Sequence, residues 1–195
     1  MAIIFFVMGF CTLSFAQQIR FRVVSWNVEN LFDIHHDSLK NDREFLPDAL
    51  RHWNYTRYKK KLTDMARVIT AVGEWEPPAL VGLCEVENDT VLRDLTRRSP
   101  LKELNYRYVM TDSPDLRGID VALLYQRDLF KLLSFRSVSI PPLKQFRPTR
   151  DLLHVRGTDR RHTGRICLPL AKSFRRSKRI RTVPPSCSPN TVHRG

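Results

Sequence analysis

Residues 79–85 read ALVGLCE, an unbroken apolar run that ends on an acid and follows Pro77-Pro78. An apolar run of this length, with prolines before it and acids after it, is a buried strand. Going back along the chain, Tyr55, Tyr58, Leu62, Met65, Ile69 and Val72 recur at steps of three and four. That spacing lays one apolar stripe along a helix and turns Lys59, Lys60, Lys61 and Asp64 to water. Asn54 is the expected N-cap, and Gly73 with the two prolines ends the helix. Further back, residues 19–26 (IRFRVVSW) alternate and then become wholly apolar, which marks a strand entering a core. The polar residues 27–51 between them read as a long loop.

Going forward, residues 90–98 form a short helix stopped by Pro100, and 106–111 (YRYVMT) alternate as a strand. A turn-rich loop at 112–118 precedes a buried strand, IDVALLY, at 119–125. Strands at 130–140 and from 150 to 155 complete the pattern. Strand and helix alternate early and strands follow strands later, so the chain is an α/β layered domain whose later part is antiparallel.

The chain has 195 residues, which by length is one domain or two at most. With 42% hydrophobic and 27% charged residues, 12 prolines and 7 glycines, it is neither collagen-like nor a linker. The net charge of +13 is unevenly spread. Residues 156–195 hold eleven of the 33 basic residues and one of the 20 acids, whereas 1–155 are nearly balanced. The last forty residues show no sustained period and are rich in Arg, Ser, Pro and Thr, so disorder is expected there. The four cysteines have no zinc-ligand spacing.

Residues 1–16, MAIIFFVMGFCTLSFA, carry no charged side chain and end on the small residues of Ser14-Phe15-Ala16. The run falls short of the roughly 20 residues of a membrane span. It has the form of a secretory signal peptide, so the mature chain is expected to start at Gln17, to be exported, and to have no transmembrane segment.

Three features can carry chemistry. Glu85 ends one apolar strand and Asn27 follows another. A carboxylate at the end of a buried strand needs a partner. Water or a basic side chain is one solution, and a hard cation such as Mg²⁺, which takes one or two carboxylates and keeps several waters, is another. Asn27 is either a turn residue or an amide that orients the carboxylate and meets a phosphate oxygen. In the loop DSPDLRG at 112–118, Arg117 could fork onto a phosphate and Gly118 would admit close approach of a ligand, or the segment is an ordinary turn.

WNVENLFD at 26–33, GLCEVEN at 82–88 and DSPDLRGIDVALLY at 112–125 occur in this order and at fitting separations. Together they resemble the N-terminal half of the endonuclease/exonuclease/phosphatase family, of which deoxyribonuclease I is a member, over about residues 20–155. The resemblance implies the first half of a four-layer α/β sandwich with two central sheets, and Mg²⁺-dependent phosphoester hydrolysis. It makes Glu85 the metal-binding acid, Asn27 the asparagine beside it, and Arg117 part of the segment bordering the substrate phosphate. The substrate is a nucleic acid or a small phosphorylated molecule, and no stable protein partner is inferred.

The family's later Asp-x-Asn and Ser-Asp-His segments do not occur after Val155. His154, His162 and His193 lack the acidic neighbours. The abrupt change to Arg, Ser and Pro in mid-strand is what an out-of-frame continuation looks like. The expected division is therefore a signal peptide at 1–16, a partial domain at 17–155 and an Arg-rich tail at 156–195, with little activity in this chain. The rival function is a non-catalytic binder of nucleic acid or an anionic surface through the basic tail, whose densest stretch is SFRRSKRIR at 173–181.

Overall fold

The computed structural model describes residues 21–74, 76–113, 115–139, 151–161 and 164–170. The expected signal peptide and the stretch 171–195 lie outside them. Among the described residues, seven strands form two sheets. The first has the order β1-β2-β4-β3, built from β1 (Val23–Leu31), β2 (Leu80–Val86), β4 (Asp120–Tyr125) and β3 (Arg107–Met110). The second runs β5-β6-β7, from β5 (Phe130–Val138), β6 (Leu152–Asp159) and β7 (Arg165–Leu170). Strands β1 and β2 are parallel, as a helical crossover requires, and every other pairing is antiparallel.

The crossover helix α1 (Tyr55–Gly73) begins as the sequence indicates, with the Asn54 side chain accepting from Arg57 N at 3.1 Å. Tyr58, Leu62, Met65 and Ile69 are buried, while Tyr55 and Val72 at the ends of the stripe are exposed. The second helix, α2 (Asp89–Arg97), is capped by Asn88 in the same way. No described helix is long and apolar enough to cross a membrane.

The helices cover one face of the first sheet and the second sheet covers the other. Val81, Leu83, Ala122 and Leu124 meet Leu62, Met65, Ile69, Leu92 and Leu95 on the helix side. Leu80, Cys84, Val121 and Leu123 meet Phe130, Leu153 and Val155 on the opposite side. Strand β2, buried along its whole length, is the spine of both cores. The described residues thus supply helices, sheet and sheet, three layers of the implied sandwich.

Strand pairing in the second sheet runs past the boundary expected at Val155. Pairing continues through β6 to Asp159 and through β7 to Leu170. Ile166, Leu168 and Leu170 pack against the inter-sheet core, while Arg165, Cys167 and Pro169 between them are exposed. That is a period of two, spread over only six residues and diluted by the surrounding arginines, so it is hard to see in composition. Strand β1 is also longer than expected and absorbs Asn27 to Leu31, which were expected to open a loop.

Candidate active site

Asn27 and Glu85 lie side by side at one end of the first sheet. Asn27 is the register partner of Cys84, so Glu85 is one residue further along the adjacent strand, about 4.8 Å away in the pairing direction. Both strands are irregular here. On β1 the register steps from Asn27–Cys84 to Leu31–Val86, and on β2 it shifts between Cys84 and Val86. Val81 and Leu83 face the helices and so does Val86, a break in alternation that Glu85 takes up with φ of 70°. Glu29 and Asn30 also have positive φ, 54° and 62°. Bulges of this kind re-aim a side chain, and backbone strain of about 1–3 kcal/mol per residue persists where the surroundings enforce it.

The surroundings that enforce it include Lys61. Its Nζ donates to Glu29 O at 2.7 Å and Asn30 O at 3.0 Å, and it lies 5.6 Å from the Trp53 ring centroid. The expectation that Lys61 faces water is therefore corrected. The long side chain reaches along the helix to the open carbonyls of the bulge. Burial lowers its pKa, and the negative charges of Glu29 and Glu85 oppose that shift. Asn27 Oδ1 accepts from Glu29 N at 3.0 Å, which turns its amide nitrogen away from the bulge.

Arg117 stands on the facing loop, where the Glu85 charge also reaches it. Its Nε and Nη2 fork onto the two oxygens of Asp115, at 3.2 and 2.8 Å. The expected phosphate fork is thus already spent on a carboxylate, and the Nη1 side remains. Gly118 has φ of 67°, but the group that approaches it is the Lys40 side chain, 3.1 Å from where a Cβ would sit. Lys40 Nζ donates to Ser113 O and Asp115 O, strapping loop 112–118 to the loop after β1. Asp120, the β4 partner of Val86, is buried and accepts from Thr111 Oγ1 and Ser113 N. Sequence reasoning missed Lys61 and Asp120, because each acts through contacts made only in the fold.

Behind the bulges, Glu87 Oε2 accepts from Asp33 N at 2.7 Å, and Asn88 Nδ2 donates to Asp33 Oδ2. Burial, with the nearby charges of Asp33, Asp42 and Asp37 adding to it, pushes the Glu87 carboxyl up to about 8. A carboxyl raised in this way holds its proton in the folded chain and releases it in the unfolded one. Stability therefore falls as pH rises from about 5 to 8, by at most about 1.4 kcal/mol per unit for one proton. Urea midpoints at pH 5.5 and 8 should show this loss in the parent chain and a clearly smaller one in Glu87→Gln. An unchanged slope in the variant would mean that another group is responsible.

Mg²⁺ suits the donor set at the bulge, one carboxylate with a carboxamide beside it, because this ion needs few protein oxygens and keeps its waters. Among the described residues no three His, Cys, Asp or Glu side chains converge as a metal site.

The sequence model of the Endonuclease/Exonuclease/phosphatase family matches residues 22–165, ten residues beyond the boundary expected at Val155. Among solved structures, the chain is similar to ANGEL2, a 2′,3′-cyclic phosphatase, with 17% identity, a TM-score of 0.51 and coverage of 76% of this chain and 39% of that one. The human Nocturnin catalytic domain with bound sulfate gives 17%, 0.47, 75% and 46%. A Bacteroides thetaiotaomicron endonuclease/exonuclease/phosphatase family protein gives 15%, 0.48, 74% and 46%. The chain spans less than half the length of each of these three. No curated protein matches it.

Proposed function

The chain belongs to the endonuclease/exonuclease/phosphatase family, and from that premise we propose that it carries the metal-binding half of an Mg²⁺-dependent phosphoester-hydrolase site. The observation that carries this reading is the pair of bulges that set Glu85 beside Asn27. Glu85 would hold the ion, with Asn27 beside it on the adjacent strand. Bound there, Mg²⁺ supplies Lewis-acid charge against a phosphoryl oxygen. The Asn27 carbonyl oxygen is occupied by Glu29 N, which leaves its amide hydrogens to donate to a phosphate oxygen. Lys61 fixes the backbone that orients Asn27. Arg117, held by Asp115, contributes charge and one remaining face of its guanidinium. The substrate class is a phosphoester, in a nucleic acid or a small phosphorylated molecule.

These 195 residues by themselves are proposed to turn over at most trace substrate. The sequence after Val155 has no Asp-x-Asn and no Ser-Asp-His segment, the groups that by family resemblance position water and stabilise the transition state. The purified chain, assayed with Mg²⁺ on DNA, RNA and a bis-aryl phosphodiester, should match the blank. Robust turnover that Glu85→Ala removes would show that the site is sufficient as it stands.

Export is proposed as well, from the uncharged apolar run that closes on Ser-Phe-Ala before Gln17. The intact mass of protein recovered outside the cytoplasm should correspond to a chain starting at Gln17. A chain keeping Met1 in the membrane fraction would refute cleavage.

A further inference from the structure

At the end of the first sheet opposite Glu85 lies an open cleft of about 830 Å³. It sits where β4 ends and β3 begins, roughly 17 Å from the bulges at about 3.3 Å per strand residue. Five cations line it, each from a different segment. Arg97 ends α2, Lys102 lies in the 3₁₀ turn Pro100–Leu104, and Arg107 opens β3. Arg127 lies in the turn between β4 and β5, and Arg160 follows β6. Asp128 is the one acid among the lining residues. Lys102 has Glu103 at 3.5 Å, but none of the four arginines lies within ion-pair distance of a described carboxylate.

The cations are held by structure that is otherwise complete. Leu129 N and Phe130 N both donate to Gln126 O, and Arg160 N donates to Leu129 O, so the segments bearing Arg127 and Arg160 are tied together. Gln126 is buried, and its Nε2 has no acceptor in hydrogen-bond geometry among the described residues. A concave group of like charges concentrates positive potential and favours a multivalent anion.

We propose that this cleft is a binding site for a compact oligophosphate, a di- or triphosphate group either free or borne by a nucleotide. Guanidinium forks match phosphate oxygens in pairs, and a triphosphate brings enough oxygens to engage several arginines at once. The cleft volume is that of a small-ligand site. A nucleic-acid strand fits less well. The cations come from five separate segments around a hollow instead of following a line, and of the two lining tyrosines only Tyr108 is partly exposed. Tyr106 is buried with its hydroxyl on Pro78 O, and the Tyr108 hydroxyl is on Asp89.

Calorimetric titration of the full chain with tripolyphosphate, ATP and orthophosphate, without Mg²⁺ and at 50 mM salt, tests the site. Tripolyphosphate should bind at least tenfold more tightly than orthophosphate. Arg107→Ala with Arg127→Ala should weaken it at least tenfold, and Lys60→Ala with Arg67→Ala, exposed cations elsewhere, less than twofold. ATP binding as tightly as tripolyphosphate, or more so, identifies a nucleotide as the source, and weaker ATP binding identifies free oligophosphate. Both outcomes support the site. Equal affinity for orthophosphate overturns it. So does binding that survives the double variant, which would belong to the basic residues 171–195, and so does a DNA oligonucleotide that binds through these arginines when tripolyphosphate does not. The site does not rest on the phosphoesterase reading, and Glu85→Gln should leave it unchanged.

Discussion

Glu85→Gln is expected to cost this chain its divalent-metal affinity by at least about a hundredfold while leaving the fold in place. Substitutions that only support a metal ligand cost 10–100-fold, and removing the carboxylate itself should cost no less. Glutamine keeps the volume of the side chain and the bulge that carries it, and loses the charge. The measurement is water-proton relaxation with Mn²⁺ standing in for Mg²⁺, which reports binding whether or not the chain turns over substrate. Asn27→Ala should weaken binding far less, because an amide gives the ion at most a dipole. If Glu85→Gln binds as the parent does, the ion is held elsewhere and the proposed site is wrong.

Gly157→Ala should be the most damaging single methyl at any described glycine. A Cβ at Gly157 would lie 2.0 Å from Phe130 Cζ, 2.4 Å from Cε2 and 2.6 Å from Lys131 O. None of these can yield easily. Phe130 is among the largest fully buried side chains and packs edge-on against Tyr125, with ring centroids 5.9 Å apart, and the third contact is backbone. Overpacking ordinarily costs about 1–3 kcal/mol, and this case belongs at or above the upper end. A domain stable by only about 5–15 kcal/mol would show that loss plainly in its urea midpoint. Phe130→Leu in the same chain should recover part of it, since the shorter side chain vacates the contact. A Gly157→Ala chain as stable as the parent would mean that residues beyond Val155 do not dock, as composition alone suggests.

The fold was largely legible because its elements are long and their periods clean. The stripe at Tyr58, Leu62, Met65 and Ile69 and the wholly apolar β2 determine the crossover unit. The three segments that resemble the family fall on one end of one sheet, which brings Asn27 and Glu85 together. What sequence could not show is how they are aimed. A bulge carries no hydrophobic signature, and a lysine that donates to carbonyls 31 and 32 residues away looks like any surface lysine. The fork of Arg117 onto Asp115 was equally hidden, since an Asp two residues from an Arg is ordinary in a turn. The end of β6 and the whole of β7 escaped for another reason. The outward positions there are Arg156, Thr158, Arg165, Cys167 and Pro169, so average composition outweighed the alternation of Ile166, Leu168 and Leu170.

The hold of Lys61 on the β1 bulge has a consequence for how this site can vary through descent. The ammonium grips two main-chain oxygens, which every amino acid possesses, and needs no hydrogen bond from the side chain of Glu29 or Asn30, although the Glu29 charge also favours it. Those side chains are exposed and half-buried respectively, so neither is needed to fill a core. What the two positions must preserve is a left-handed backbone, which glycine, asparagine and aspartate adopt most readily. Drift there is filtered by conformation rather than by chemistry. The lysine on the helix must stay long and cationic, although it lies in a run of three lysines that on the face of the sequence look interchangeable.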